Sequence, residues 1–347
     1  MSKNSNLLNK LYLNNYLDND ELKTLIDNYD NASLVKAKKL AQMTAIKNFN
    51  LNIYYRGIIE FSNICRNDCY YCGLRKSNSN VKRYRLSENE ILNCCKIGYE
   101  MGIRTFVLQG GEDLQFDNQI ATLITKISEK YDDCAITLSV GERNYSLYKQ
   151  WFEKGATRFL LRHETADKKH YEKLHPPFQH FDNRIRCLND LKNIGYQAGA
   201  GMMIGSPFQT NESIIKDLIF LRDYKPEMVG IGPFIPHSQT PFKTEKTGDY
   251  NLTLYSLALT RLLLPKALIP ATTAMDTVKE DGRLDAILSG CNVIMVNITP
   301  MKERVNYKLY NDMAELRSFN NIDRKSINQR LKKIGYTLIV SKGDYCK

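Results

Sequence analysis

The sequence predicts an α/β fold, a (β/α)8 barrel, and three observations predict it. From residue 53 onward, short β-branched or aliphatic runs alternate with helix-length amphipathic segments. The runs number eight. A cysteine-rich loop follows the first of them, and the C-terminal end of a strand is where a barrel carries its chemistry. A doubly wound open sheet has the same rhythm and stands as the second reading.

Residues 1–50 are polar and helical in pattern, with Leu22, Leu25 and Ile26 at helical spacing and Asn31 and Ser33 as candidate caps, so a helical cover is expected before the barrel. The strand candidates are 53–62, 105–110, 135–140, 158–163, 197–204, 228–232, 269–273 and 292–297. Helix candidates lie between them. Ser87 and Glu90 form a capping-box pattern ahead of one, Asn211 opens another with Ile214, Ile215, Leu218 and Leu221 on one face, and 252–264 is a third. From 301 to 347 the rhythm gives way to a helical, basic segment expected to close the barrel, which itself spans 51–300.

The 347 residues are 43% hydrophobic and 25% charged, with a formal net charge of +11, values of a soluble globular chain. No run of eighteen apolar residues is present, and the first residues lack the apolar centre of a signal peptide, so a cytoplasmic protein with reduced thiols is expected. Acidic residues interleave with the basic ones. The charge therefore reads as a solvated surface with room for an acidic partner, and no nucleic-acid or membrane partner is expected.

The chemistry centres on Cys65, Cys69 and Cys72, in CRNDCYYCG. Three thiolates at C-x3-C-x2-C spacing can hold three irons of a cubane cluster, leaving one iron open to bind substrate or cofactor. A structural zinc site would need a fourth ligand, for which Cys94 and Cys95 are awkward candidates inside a helical pattern. An odd total of nine cysteines argues against a disulfide framework.

Polar groups recur at the other strand ends. Gly110, Gly111 and Glu112 follow the second, and glycines there let backbone approach a ligand. Thr137, Ser139 and Glu142 stand at the third, and Arg162, His163 and Glu164 at the fourth, where a rim salt bridge such as Arg162 with Glu142 is as good a reading as a ligand role. Arg184 and Arg186 could each fork onto a carboxylate. Residues 230–237 form a rigid Pro-rich loop. Thr272 and Thr273 either cap a helix or line a cavity. With Met295 and Asn297 they surround a space poor in ionisable groups, which suits radical chemistry that excludes water.

The cysteine spacing, with aromatic Tyr71 before the last cysteine and Gly-Gly-Glu after the second strand, resembles the radical SAM superfamily. In combination, ICRNDCYYCG, VLQGGED, LLRHETA, GIGPFIPH and PATTAM resemble the HydE family of FeFe-hydrogenase maturases over roughly residues 53 to 310. That resemblance implies a single (β/α)8 barrel with an internal cavity, one 4Fe-4S cluster on Cys65, Cys69 and Cys72, and S-adenosylmethionine beside it. The cofactor contacts it implies are Tyr71, Gly110, Gly111, Glu112, Ser139, Glu164 and Arg184. The implied cavity residues are Thr137, Arg162, Met228, Ile235, Thr272, Thr273, Met295 and Tyr307.

The activity implied is attack by a 5'-deoxyadenosyl radical on the sulfur of a cysteine-bound iron carrying carbon monoxide and cyanide. The implied partners are the maturation proteins HydG and HydF and a reductant such as ferredoxin or flavodoxin. Residues 302–345 contain no cysteine, so the second cluster of some HydE proteins is not expected. A methylornithine-synthase-like enzyme acting on a small amino acid, or a sulfur-inserting enzyme like biotin synthase, is the alternative.

Overall fold

The computed structural model describes residues 3–313 and 324–345. Seven strands, β1 (Asn52–Ser62), β2 (Thr105–Gly110), β3 (Ala135–Ser139), β4 (Arg158–Leu160), β5 (Gln197–Ile204), β6 (Met228–Pro233) and β7 (Val293–Asn297), lie in the spatial order β6-β5-β4-β3-β2-β1-β7. Every pairing is parallel, and helices connect the strands, giving a half-barrel. Strands buried on both faces read as near-continuous apolar runs, which is why all seven were visible as such.

Three helices, α1 (Lys3–Asn14), α2 (Asn19–Asp27) and α3 (Asn31–Phe49), precede β1. Asp30, rather than Asn31, caps α3, with Ser33 completing a reciprocal capping box. Leu8, Leu11, Leu22 and Leu25 are fully buried, and burying each such leucine contributes about 1.5–3 kcal/mol. The helices around the sheet are α4 (Glu88–Glu100), α5 (Asp117–Lys130), α6 (Tyr145–Glu153), α7 (Lys168–Leu174), α8 (Phe181–Ile194), α9 (Asn211–Tyr224) and α10 (Tyr250–Leu263). Ser87 caps α4 through the expected capping box. The N-terminal helices rest on this outer layer, α2 on α9 and α3 on α10.

The seventh predicted strand, 269–273, does not form. Leu268 and Pro270 each make one isolated parallel bridge, to Met228 and Val293 respectively, and α11 (Thr273–Val278) begins immediately after. Pro270 has no N–H to give to a ladder. The fourth strand stops at Leu160, three residues short, because the chain turns at Glu164.

Short helices α12 (Gly282–Ile287) and α13 (Met301–Arg304) flank β7, and α14 (Arg324–Lys333) precedes an unpredicted strand, β8 (Thr337–Ile339), which pairs with the first residues of β1. After β8 the chain crosses the N-terminal ends of the strands. There the Lys342 carbonyl accepts from Thr105 Oγ1 at 2.8 Å and from both terminal nitrogens of Arg158 at 3.0 Å. Asp344 pairs with Arg158 at 2.5 Å, and Arg56 donates to the Gly343 carbonyl at 3.3 Å. Within the C-terminal segment, 314–323 and Cys346 lie outside the described residues. Among those described, no helix is long and apolar enough to cross a membrane.

Candidate radical SAM site

The cysteine loop leaves β1 at Ser62 and lies against the end of β2. Gly111 N–H donates to Ser62 O at 3.0 Å, and Glu112 N–H points at Cys65 Sγ at 3.4 Å. A methyl group on Gly111 would stand 2.3 Å from the Ile64 carbonyl oxygen and 2.8 Å from Cys65 Cβ, so only glycine permits this approach. Arg83 binds the loop from both flanks, donating to the carbonyls of Asn63, Leu74, Arg75 and Asn78 at 2.6, 2.9, 2.7 and 3.2 Å. Asp68 accepts from Arg75 and from Ser77 within the loop, and Gln179 Nε2 lies 3.4 Å from Cys69 Sγ.

Cys65, Cys69 and Cys72 all line a cavity of ≈ 370 Å³ at the C-terminal ends of the strands, and among the described residues no other cysteine does. All three are free thiols. Burial, with the neighbouring thiols, raises the Cys69 pKa and pushes Cys72 up to about 12. Three such thiolates coexist only against compensating positive charge, which the irons of a cluster supply. Among the described residues no group of three or more His, Cys, Asp or Glu is gathered for a single metal ion. Three cysteines on one loop suit thiolates that each take a different iron. Cys94 and Cys95 are buried in α4, away from the cavity.

Carboxylates and guanidinium groups form the next layer. Glu112 lines the cavity while accepting from the Glu142 N–H at 2.9 Å and from Arg66 at 3.0 Å. Gly141, at φ 78°, makes room for it, since a Cβ there would stand 2.1 Å from Glu112 Cγ. The expected Arg162–Glu142 bridge is replaced by two others. Arg184 holds Glu142 at 2.5 Å, and Arg162 lies 3.2 Å from Glu164. Arg184 also donates to the Arg162 carbonyl at 2.6 Å. Burial opposes the Arg184 charge, but Tyr171, Glu142, Tyr71 and Glu112 together raise its pKa well above the ordinary value. Arg186 is turned to Asp190 instead.

Tyr71 lines the cavity, and its hydroxyl lies 3.1 Å from His175 Nε2. His175 Nδ1 faces the Tyr171 carbonyl at 2.9 Å and must donate to it, which leaves Nε2 to accept from Tyr71. Burial, with Arg184 nearby, lowers the His175 pKa to about 3, so the ring is neutral.

Gly110, Ser139, Glu164, Arg162, Ile235, Thr272, Thr273, Met295 and Tyr307 also line the cavity. Thr272 stands at the N-cap position of α11, and Thr273 Oγ1 lies 3.2 Å from the Tyr310 hydroxyl. Two expected cavity residues are absent from its lining, Thr137 and Met228. Thr137 is two residues below Ser139, about 7 Å deeper at 3.3–3.4 Å per residue, and is buried with no partner for its hydroxyl. Met228 is the first residue of β6, at the opposite end of the sheet, where its sulfur lies 3.4 Å from Arg56 Nη1.

The cavity also takes residues that sequence reasoning missed. Glu60 stands near the C-terminal end of β1 and accepts from Asn297 Nδ2 at 2.7 Å. A carboxylate inside the apolar run GIIEFS was the available signal. Gln109, Phe234 and Tyr310 carried none.

The model of the Radical SAM superfamily matches residues 59–221. The chain is 47% identical over 272 residues to the FeFe-hydrogenase maturase subunit HydE of Thermotoga maritima, covering 78% of each chain. The crystal structure of methylornithine synthase, PylB, superposes with a TM-score of 0.83 at 26% identity, over 96% of this chain and 97% of that one. The FeFe-hydrogenase maturase HydG of Carboxydothermus hydrogenoformans shares the fold, with a TM-score of 0.80 at 18% identity over 99% and 80% of the two chains. With the cysteine loop, the half-barrel and this degree of identity in agreement, the chain belongs to the radical SAM superfamily and, within it, to the family of the hydrogenase maturase HydE.

Proposed function

We propose that this radical SAM enzyme performs the HydE step of FeFe-hydrogenase maturation, with one 4Fe-4S cluster on Cys65, Cys69 and Cys72 and S-adenosylmethionine seated among Tyr71, Gly110, Gly111, Glu112, Ser139, Glu164 and Arg184. One observation carries the reading: in a chain 47% identical to a HydE, those ten residues line one cavity together with Arg162, Thr272 and Met295. When bound, cluster and cofactor supply a 5'-deoxyadenosyl radical. The chain's own part is to hold and enclose. The cysteines anchor, Arg184 and Arg162 present charge to a small zwitterion, and Ile235, Phe234, Met295 and Tyr307 keep water from the reacting atoms.

The substrate of this reading is a cysteine-bound iron bearing carbon monoxide and cyanide, attacked at sulfur. A cavity lined mostly by apolar groups favours such a radical step over proton transfer. HydG as supplier, HydF as acceptor, a ferredoxin or flavodoxin as reductant and a cytoplasmic setting complete it. Closure into a full (β/α)8 ring through residues 268–271 belongs to the same reading and is supported by the bridges of Leu268 and Pro270 to the two edge strands.

The test is anaerobic reconstitution with iron and sulfide, then electron paramagnetic resonance of the reduced protein with and without S-adenosylmethionine. A 4Fe-4S signal that the cofactor perturbs, with 5'-deoxyadenosine released, is expected. A cluster indifferent to S-adenosylmethionine would overturn the reading. The likeness to methylornithine synthase supports a second reading, an amino-acid substrate, which formation of 3-methylornithine by the reconstituted protein would establish.

A further inference from the structure

Between Arg162 and Glu164, which both line the cavity, stands His163, which does not. Its ring is fully buried against α9, with its centroid 4.6 Å from that of Phe220. His163 Nδ1 accepts from the Gly201 N–H at 3.2 Å, so in the neutral ring the proton sits on Nε2. That nitrogen faces Asp217 Oδ1 at 3.4 Å. Asp217, also on α9 and fully buried, takes the Ala166 N–H on the same oxygen. One carboxylate oxygen thus meets the chain on both sides of Glu164, by a hydrogen bond from the Ala166 N–H and by an electrostatic contact with His163 Nε2, which makes no hydrogen bond of its own.

Glu164 needs holding. Its φ of 65° is in the left-handed region, which is strained for a side-chain-bearing residue and persists only where surroundings enforce it. Two backbone bonds to β5 contribute, Glu164 N–H to Gly201 O at 2.9 Å and Met203 N–H to Glu164 O at 3.2 Å. They fix the residue's height on the sheet. Where the chain leaves it, through Thr165 to Ala166, Asp217 takes the Ala166 N–H, and Ser213 at 3.1 Å and Lys216 at 3.5 Å on the same helix hold the next residue, Asp167. A buried carboxylate is costly unless paired and hydrogen-bonded, and burial raises the Asp217 pKa against the opposing effect of His163.

We propose that Asp217 is a positioning residue of the cofactor site: through His163 and the Ala166 N–H, it holds Glu164 in the left-handed turn that delivers its carboxylate into the cavity. The inference rests on the reading that Glu164 contacts S-adenosylmethionine. Asp217 itself touches neither cavity nor cofactor.

The experiment is a double-mutant cycle on the cluster-loaded, oxidised protein. It is read as the dissociation constant of S-adenosylmethionine by calorimetry without reductant, with iron content and melting temperature measured alongside. Asp217→Ala and Glu164→Ala are each expected to weaken binding about tenfold, and the double variant no more than the worse single, because one acts through the other. Asp217→Asn, which keeps an oxygen for both N–H groups, is expected to stay within about threefold of the parent. Should Asp217→Ala fail to fold, His163→Phe keeps the packing on Phe220 without the Nε2 proton and takes its place in the cycle.

Multiplying effects, about a hundredfold in the double variant, would overturn the inference, as would an Asp217→Ala protein that binds normally while Glu164→Ala does not. Normal binding by Glu164→Ala would instead remove the reading of Glu164 on which the inference stands.

Discussion

Gly111→Ala is a test of whether the cluster loop is seated as described. The new methyl group would lie 2.3 Å from the Ile64 carbonyl oxygen, an atom of the main chain that cannot rotate away. Restoring even about 3.0 Å requires a movement of roughly 0.7 Å, and a looser van der Waals contact requires more. That movement lengthens the 3.0 Å bond from Gly111 N–H to Ser62 O beyond hydrogen-bonding range and displaces Cys65, whose Cβ is the next atom met at 2.8 Å. Overpacking costs about 1–3 kcal/mol and the lost hydrogen bond about 1 kcal/mol, so about 2–4 kcal/mol falls on one short segment. The strain is local, so the sheet should survive it. The assay is iron and sulfide per chain after anaerobic reconstitution, with far-ultraviolet circular dichroism as the control for folding. Cluster content below half of the parent's with an unchanged spectrum is expected. Full cluster content with a parental resonance signal would refute the steric reasoning.

Other outcomes follow from the same geometry. Replacing Arg83 by Met removes four hydrogen bonds that gather the two flanks of the cysteine loop, and reconstitution should yield less cluster while the melting temperature falls. Glu90 accepts from the Ser87 N–H in the α4 capping box and from Lys302, which lowers its pKa to about 2. A depressed carboxylate stabilises above its unfolded-state pKa and loses that contribution as pH falls through the folded value. Glu90→Gln should therefore melt below the parent at pH 7, the gap closing as the pH is lowered from about 4.5 towards 2. His175→Phe leaves the Tyr71 hydroxyl without its acceptor, and S-adenosylmethionine should bind more weakly to cluster-loaded protein at unchanged iron content.

Much of the fold was legible because the sheet is buried on both faces. β1 to β7 show themselves as apolar runs, and the cysteine loop shows itself because its three functional residues are within eight positions of one another. Elements defined by distant partners stayed hidden. Glu60 makes sense only beside Asn297, and Arg83 only once the two flanks of the loop are folded back upon it. The segment at 269–273 was misread because its aliphatic and threonine residues have strand character, while Pro270 forbids a continuous ladder and Thr272 begins a helix. β8 is three residues long and too short to announce itself. Met228 stands outside the lining of the cysteine cavity because it begins its strand, at the end of β6 away from the cysteines.

The crossing of residues 341–345 beneath the strands has a practical consequence for anyone who handles the protein. Arg158 is fully buried, and its side-chain partners other than Thr105 come from Lys342 and Asp344. Trimming the chain before Lys342 would take from the Arg158 guanidinium its carbonyl and carboxylate acceptors, leaving the Thr105 hydroxyl, and from Arg56 the Gly343 carbonyl. An affinity handle or fusion partner joined at this end therefore needs a spacer long enough to leave the crossing undisturbed. Otherwise a loss of solubility could be mistaken for damage to the iron centre at the far end of the strands.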